Sequence, residues 1–319
     1  MGDGTPSTPA PQRVASFGEC MIELQGTAFG AMRQTCGGDT YNTAVYLARC
    51  GAAQGLQVDY ASAVGDDPLS TRLLELWADE GLGLGLVQRL LGRMPGLYQI
   101  SVDARGERQF SYWRDQAAAR AYFDPPEATP LEAAAGGLAA LYFSGISLAI
   151  LPPAGRERLL ALAAALRARG ALVVFDNNYR PRLWADAATA RAAYRQAVAA
   201  AGLVLATLDD EQALWGRPDA ADALAATLDL PCPELVVKRG AAATVLRHAG
   251  GVAEVATEPV TEVVDTTAAG DSFAGAYLAA RLAGRTPVEA AQAGNRLAAR
   301  VIQHRGAVIP RAAMADLFG

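Results

Sequence analysis

One aspartate stands where a turn of small residues meets the start of an apolar helix. The β-branched run 260–264 predicts a strand, residues 268–270 turn the chain, and Asp271 opens the Ala-rich helical stretch 273–282. The free N–H groups and the dipole at a helix start make such a turn an anion site. A carboxylate beside a bound phosphate indicates chemistry, with Asp271 as a base facing a phosphoryl group in transfer. The alternative is a plain helix cap, because Asp is favoured at that position.

A second polar cluster follows two glycines nearer the N-terminus. Gly37 and Gly38 allow a ligand to approach the backbone closely. Asp39 and Asn42 offer acceptors and donors suited to the hydroxyl groups of a ligand. The alternative is a loop followed by a capped helix over 40–50.

Arginines and tyrosines bear on the charge of the substrate. Arginine can hold a carboxylate through two parallel hydrogen bonds, so Arg114 and Arg180 favour an acidic ligand over a neutral one. Tyr112 and Arg114 are two residues apart and are expected on one face of a strand, with Tyr98 on the other strand of the same hairpin. Arg180 follows the strand end at Asp176, where α/β folds place ligands. Solvated arginines, or an Arg180 beside nucleotide phosphates, are the alternatives.

Two patterns define the elements that must position these residues. Segments 97–103 and 108–114 alternate polar and apolar residues around a turn at 104–107, which predicts an antiparallel hairpin. After residue 125, apolar strands and helices alternate, which indicates a doubly wound, mostly parallel sheet with helices on both faces.

These patterns predict one α/β domain with a small antiparallel β lid. The domain is expected over 14–319, and the lid over about 20–36 and 95–123. Residues 1–13 are rich in Pro, Gly, Ser and Thr and are expected to form a disordered tail.

Composition and charge narrow the class of protein. The 319 residues are 51% hydrophobic, which is enough for a substantial core, and the net charge is −5. No Lys/Arg-rich run occurs, which argues against nucleic acid as a partner. The four cysteines and two histidines spell out no metal cluster. No signal peptide is evident and the most apolar run, 138–151, is short for a membrane span, so we expect a cytoplasmic protein without membrane contact.

Several motifs together resemble one kinase family. Segment 264–273 resembles the D-T-x-G-A-G-D signature of ribokinase-like (PfkB) sugar kinases, and segment 37–44 resembles their Gly-Gly-x-x-x-N motif. The resemblance covers about 14–310 with the motifs in the family's order. Other segments are similar to the 2-keto-3-deoxygluconate kinase branch; they are 17–24, 112–114, 141–146, 176–184 and 237–241.

The resemblance implies a ribokinase-like fold and a reaction. ATP, with Mg²⁺, would phosphorylate 2-keto-3-deoxy-D-gluconate on O6, and Asp271 would be the catalytic base. Ala268 stands where the common signature has Gly, which limits φ but leaves its N–H available. The implied anion hole is formed by the N–H groups of Ala268, Ala269, Gly270 and Asp271.

The resemblance also implies two binding sites. The sugar acid would contact Gly37, Gly38, Asp39, Asn42, Tyr98, Tyr112, Arg114, Arg180 and Asp271. The nucleotide would contact Asn178, Arg180, Lys238, Arg239, Gly240, Ala241, Ala268, Ala269, Gly270 and Asn295.

Metal sites are expected at two places. Asp210 is the implied Mg²⁺ partner, although Thr207 stands where the family's N-x-x-E motif has Asn; an acidic helix start is the alternative. Asp265 and Thr267 are implied to lie beside a monovalent cation such as K⁺, with an Asx or ST turn as the alternative.

Other functions stay open at this point. A neutral ketohexose kinase such as a fructokinase, or a nucleoside kinase, would share the fold. A non-catalytic sugar-acid sensor is the reading from a different class. A homo-oligomer is expected in each case.

Overall fold

Short apolar runs that are buried on both faces build the central sheet. The computed structural model of the chain describes residues 12–27, 29–102 and 108–317. In the strand Ala140–Ser144, Leu141 and Phe143 point into one apolar layer and Tyr142 points into the other. Burial on both faces is typical of a parallel sheet that is covered by helices.

The strands of the described residues follow the predicted alternation. In chain order they are β1 (Arg13–Phe17), β2 (Met21–Gly26), β3 (Met32–Gly37), β4 (Gln57–Val64), β5 (Val87–Arg89), β6 (Leu97–Val102), β7 (Arg108–Trp113), β8 (Ala140–Ser144), β9 (Leu172–Asp176), β10 (Leu203–Thr207), β11 (Glu234–Arg239), β12 (Ala242–His248) and β13 (Gly251–Val255).

The central sheet is doubly wound and mostly parallel, as predicted. Its nine strands have the order β13-β12-β11-β10-β9-β8-β1-β4-β5. The strands from β11 to β5 pair in parallel, and only β12 and β13 are added antiparallel at one edge. The carboxyl ends of β9, β10 and β11 therefore meet at one edge of the sheet, where α/β folds bind ligands.

Helices cover both faces of this sheet. Side chains of α1, α9 and α10 pack into one layer, and those of α5 and α6 into the other. The helices are α1 (Asp39–Gly51), α2 (Pro68–Asp79), α3 (Pro130–Ala134), α4 (Gly145–Ile150), α5 (Pro153–Ala168), α6 (Ala187–Ala200), α7 (Leu208–Trp215), α8 (Ala220–Leu228), α9 (Ala269–Leu282) and α10 (Pro287–Val301). Within the described ranges, no helix is both long and apolar enough to cross a bilayer.

The lid is a four-stranded sheet with the order β3-β2-β6-β7. β6 and β7 form the predicted antiparallel hairpin, whose expected turn at 104–107 lies outside the described residues. The second lid segment ends at Trp113 and not at residue 123. Tyr122 and Phe123 belong to the core, because their rings lie 5.2 Å and 5.3 Å from the ring of Phe17 in the central sheet.

The expected disordered tail falls mostly outside the described residues, since residues 1–11 are not described. Arg13, at its end, begins β1, and its Nε donates to Asp59 Oδ2 at 2.6 Å. The ordered chain therefore begins before residue 14.

The predicted strand at 260–264 is wrong. This segment is irregular, and the side chains of Val263 and Val264 are exposed. The N–H groups of Val264 and Asp265 donate to the carbonyl oxygen of Ile302, at 2.8 Å and 3.1 Å. β-branched residues favour a strand only where a neighbouring strand and a packed face exist, and the segment crosses the end of α10 instead.

Candidate active site

The turn predicted before Asp271 is present at the start of α9. Ala268 adopts a left-handed conformation (φ 61°) directly before the helix. The N–H groups of a first helical turn have no intrahelical acceptor, so Gly270 and Asp271 present theirs outward. The Ala269 N–H donates to the Thr266 carbonyl oxygen at 3.2 Å, so the predicted anion hole loses one of its four N–H groups.

Asp271 is the third residue of α9, and Ala268 occupies the cap position, so the alternative of a plain helix cap does not hold. Asn42 donates from Nδ2 to Asp271 Oδ2 at 2.8 Å. Burial, reinforced by the nearby negative charge of Asp39, raises the pKa of Asp271 to about 8. A base whose pKa lies near the working pH is effective in proton transfer.

A cavity of about 480 Å³ lies in front of Asp271, between the central sheet and the lid. We call it the sugar-side cavity. It brings together eight of the nine residues predicted for the sugar acid: Gly37, Gly38, Asp39, Asn42, Tyr98, Tyr112, Arg180 and Asp271.

Two glycines carry the chain from the lid into α1. A Cβ on Gly38 would lie 2.1 Å from the Glu19 carbonyl oxygen, so only glycine fits there. This close approach sets Asp39 at the first position of α1, facing the cavity. Burial raises the pKa of the Asp39 carboxyl group, and Asn178 donates to its Oδ2 at 2.8 Å.

Asn178 and Arg180 line the sugar-side cavity and not the nucleotide side. Asn178 has a positive φ of 26°, an uncommon value for a residue other than glycine. Arg180 is half exposed, and its Nη1 lies 3.3 Å from Asp210 Oδ1. Both residues share this cavity with Lys238, Ala268, Ala269 and Gly270, and their contact with the nucleotide stays a prediction.

The lid contributes an aromatic wall. Tyr98 and Tyr112 are directly opposite in the β6–β7 pair, with ring centroids 5.8 Å apart. The ring of Phe110 stacks on Tyr112 at 6.3 Å. All three rings line the sugar-side cavity.

Arg114 does not line this cavity. β7 ends at Trp113, so the two-residue alternation does not continue to Arg114. Its guanidinium is buried in an ion pair with the carboxylate of Glu19, which directly follows the core strand β1 and Gly18. The expectation that Tyr112 and Arg114 share the substrate-facing side is wrong. The ion pair instead ties the lid to the core.

A second cavity of about 510 Å³ lies on the other side of the α9 start. We call it the nucleotide-side cavity. Its apolar wall comes from Val260, Val263, Phe273 and Ile302. The sequence analysis did not predict that the irregular segment after β13, which contains Val260 and Val263, contributes to this wall. Its predicted nucleotide contacts are Lys238, Arg239, Gly240, Ala241, Ala269, Gly270 and Asn295.

The side-chain amide group of Asn295 forms hydrogen bonds within the protein. Its Oδ1 accepts from Thr244 Oγ1 at 3.0 Å, and its Nδ2 donates to the Ala256 carbonyl oxygen at 3.0 Å. Asn295 is also buried. It therefore holds the chain after β13 against α10, and its contact with adenine stays a prediction.

Lys238 lines both cavities. Its Nζ donates to Asp176 Oδ2 at 2.9 Å, and both side chains are largely buried. A Cβ on Gly270 would lie 3.4 Å from this Nζ, so the ammonium group sits against the first turn of α9. Sequence reasoning placed Asp176 at a strand end but did not include it in the site.

The acidic start of α7 faces the sugar-side cavity. Asp210 accepts from the Tyr179 N–H at 3.2 Å, and burial raises the pKa of its carboxyl group while Arg180 lowers it. Among the described residues, no group of three or more His, Cys, Asp or Glu side chains is arranged to hold a metal ion. A site of this kind suits Mg²⁺ only as a hydrated ion shared with phosphates.

Asp265 and Thr267 form a turn. Asp265 Oδ1 accepts from the N–H and the Oγ1 of Thr267, at 3.1 Å and 2.7 Å, and Asp265 Oδ2 accepts from the Gly306 N–H at 3.1 Å. These contacts fit the Asx and ST turn that shapes the loop. The monovalent cation stays a prediction.

Comparisons with known proteins match nearly the whole chain to one kinase family. The pfkB family carbohydrate kinase profile matches residues 11–313. The 2-dehydro-3-deoxygluconokinase of Escherichia coli (strain K12) is 44% identical over 306 residues, covering 95% of this chain and 99% of that one. The enzyme of the same name from Haemophilus influenzae is 41% identical, covering 96% and 98%.

The fold has solved relatives as well. A crystal structure of fructokinase with bound ATP from Xylella fastidiosa superimposes with a TM-score of 0.79 at 23% identity, covering 94% of each chain. The likeness supports the fold described above. With a family profile that spans nearly the whole sequence, the chain belongs to the pfkB family of carbohydrate kinases.

Proposed function

We propose that this chain transfers the γ-phosphoryl group of ATP to the C6 hydroxyl group of 2-keto-3-deoxy-D-gluconate, also called 2-dehydro-3-deoxygluconate. The observation that carries the proposal is the position of Asp271, which lines the sugar-side cavity directly after Ala269 and Gly270, the two residues of this turn that line both cavities. The 44% identity to the Escherichia coli 2-dehydro-3-deoxygluconokinase supports the choice of substrate.

The base chemistry follows from the position of Asp271. With its carboxylate free, it would take the proton of the C6 hydroxyl as the oxygen attacks the γ-phosphorus of ATP. Asn42 fixes the direction of the carboxylate through its hydrogen bond to Oδ2. The pKa of about 8 makes the carboxylate a stronger base than an ordinary aspartate.

Charge on the transferred phosphoryl group would be stabilised at the first turn of α9. The N–H groups of Gly270 and Asp271 belong to this turn, and the ammonium group of Lys238 lies against it. Fixed donors aimed at developing charge are a large source of rate enhancement. Phosphoryl transfer needs such positioning and neutralisation more than covalent chemistry.

Mg²⁺ would be held by Asp210, whose carboxylate faces the sugar-side cavity, together with phosphate oxygens and water. When bound, Mg²⁺ supplies positive charge to the phosphates of ATP. The lid would close its aromatic wall over the sugar acid and exclude water, which limits the competing hydrolysis of ATP.

ATP and the small sugar acid are the proposed partners, and we propose a cytoplasmic homo-oligomer without contact to nucleic acid or membrane. The net charge of −5 supports the exclusion of nucleic acid.

Product analysis tests the proposal. The purified chain is incubated with ATP, Mg²⁺ and the keto acid, and the product is followed by ³¹P NMR with proton coupling. We expect a phosphate monoester on C6, formed in equal amount to ADP. Binding of the keto acid without any phosphorylated product would instead support the non-catalytic sensor.

A further inference from the structure

The phenol of Tyr98 lines the sugar-side cavity, but its hydroxyl group donates its proton to Glu23 and not to the cavity. Tyr98 and Glu23 are direct neighbours across the parallel β2–β6 pair of the lid. The Tyr98 hydroxyl donates to Glu23 Oε2. Glu23 lies in the family-like segment 17–24, and the resemblance implies no role for it.

The direction of that hydrogen bond follows from the other partners of Glu23. Its second oxygen, Oε1, accepts from Thr35 Oγ1 at 3.0 Å and from Gln25 Nε2 at 2.5 Å. An ionised carboxylate has no proton to give, so every partner must donate. A phenol has one hydroxyl proton, and Tyr98 therefore donates it to Glu23.

This hydrogen bond determines the role that the Tyr98 hydroxyl oxygen can take toward a ligand in the cavity. A Cβ on Gly37 would lie 3.3 Å from the Tyr98 hydroxyl oxygen, so this oxygen sits at the predicted sugar loop. The ring is kept in place by Phe110 and Tyr112, whose centroids lie 6.5 Å and 5.8 Å away. With its proton donated to Glu23, the Tyr98 oxygen can offer only lone pairs to a ligand, and lone pairs accept from a donor.

We propose that Glu23 is a positioning residue that makes Tyr98 an obligate hydrogen-bond acceptor, so that this part of the cavity selects a hydroxyl group of the sugar acid. A hydroxyl group donates to Tyr98, whereas a carboxylate or a keto oxygen has no proton to give. The carboxylate and keto end of the substrate is therefore turned away from Tyr98. This inference rests on the proposed function, because it orients the substrate of the same site.

A double-mutant cycle tests the coupling between the two residues. Tyr98→Phe removes the acceptor and keeps the ring, and Glu23→Gln keeps the shape of Glu23 but can donate to Tyr98. We expect Tyr98→Phe to raise KM for the keto acid roughly 3- to 10-fold, the usual value of a neutral hydrogen bond, with kcat and the KM for ATP nearly unchanged. Glu23→Gln should raise the same KM by a smaller or equal factor.

The decisive number is the effect of Glu23→Gln in the Tyr98→Phe background. If Glu23 acts through Tyr98, the double variant matches Tyr98→Phe within about twofold. If Glu23 only stabilises the lid, the two factors multiply, and the proposal is overturned. Thermal unfolding of each variant separates loss of fold from loss of binding, and both substitutions are close to isosteric.

Thr35→Val is the matched control. It removes another donor to Glu23 but leaves the Tyr98 hydrogen bond. Its KM should stay within about twofold of the wild-type value. A control that raises KM as much as Tyr98→Phe would contradict a specific role of Tyr98.

Deoxy analogues identify the selected group. Analogues of the keto acid that lack the C4 or the C5 hydroxyl are compared in wild type and Tyr98→Phe. For one of them the Tyr98→Phe effect should vanish, because the donor is already gone; persistence of the effect with both analogues would overturn the proposal. If the wild type phosphorylates another sugar better, the proposed function fails, and the cycle run with that sugar still decides the role of Glu23.

Discussion

The Lys238 ammonium group lies 2.9 Å from the Asp176 carboxylate, at the point where the two cavities meet. Lys238 is the only lysine in the 319-residue sequence, in which every other Lys/Arg position is arginine. An ammonium is a compact point charge, whereas a guanidinium is a planar fork. A chain that otherwise uses arginine therefore keeps lysine at the proposed position of the transferred phosphoryl group.

Replacement of this lysine should affect turnover. Lys238→Met removes the charge, and we expect kcat to fall roughly 10²-fold, as for loss of one preorganised donor to a transition state. Lys238→Arg should also lose most activity, because the larger fork does not fit between Asp176 and the α9 turn. Steady-state kinetics with saturating ATP measures both, and full activity of Lys238→Arg would show that charge alone suffices.

The single lysine also provides a probe of its own. Reductive ¹³C-methylation modifies one side chain, and its NMR signal should shift on addition of ATP with Mg²⁺. An unchanged signal at saturating nucleotide would place Lys238 away from the phosphates.

Removal of the proposed base should leave binding intact. Asp271→Asn keeps the hydrogen-bonding shape of the side chain but cannot take the C6 proton. We expect kcat to fall by about 10²–10⁴ while the KM for ATP changes little. Near-wild-type turnover of the purified variant would rule out Asp271 as the base.

The activity of the wild type should depend on the protonation of Asp271. Burial raises its pKa to about 8, and the base works only when deprotonated, so kcat/KM should decline as pH falls below about 8. Lys238 lowers this pKa, so Lys238→Met should move the acidic limb of the profile to higher pH. A pH–rate profile of kcat/KM tests both statements, and an acidic limb near pH 4 would contradict them.

Arg114 should matter for stability more than for binding. Arg114→Ala leaves Glu19 buried without its partner, which we expect to lower the free energy of unfolding by about 3–5 kcal/mol. Glu19→Gln in the same background should restore part of the loss, since it removes the unpaired charge. Urea unfolding measures both variants, and an unchanged stability with a raised KM for the keto acid would return Arg114 to the substrate site.

Local sequence patterns predicted the turn before Asp271, the loop before Asp39 and the parallel sheet. The turn before Asp271 and the two glycines before Asp39 were predicted to lie together, and they line one cavity, because each depends on a short stretch of backbone. The parallel sheet was equally predictable from its continuous apolar strands. Such features are set by near neighbours in the chain.

The contacts of side chains whose partners lie far away in the sequence were not predictable in this way. Arg114 turns to Glu19, and Asn295 turns to Thr244, across 95 and 51 residues of sequence. The run 260–264 has strand-forming residues but no strand to pair with. In each case tertiary packing decided the outcome, and no local pattern records it.

Discrimination between an acid and a neutral sugar tests the central claim most directly. The value of kcat/KM is measured by coupled ADP detection for 2-keto-3-deoxygluconate and for fructose under the same conditions. Fructose has no carboxylate for Arg180 to bind, so the keto acid should be preferred by at least about 10². Equal values of kcat/KM for the two substrates would contradict a sugar-acid kinase.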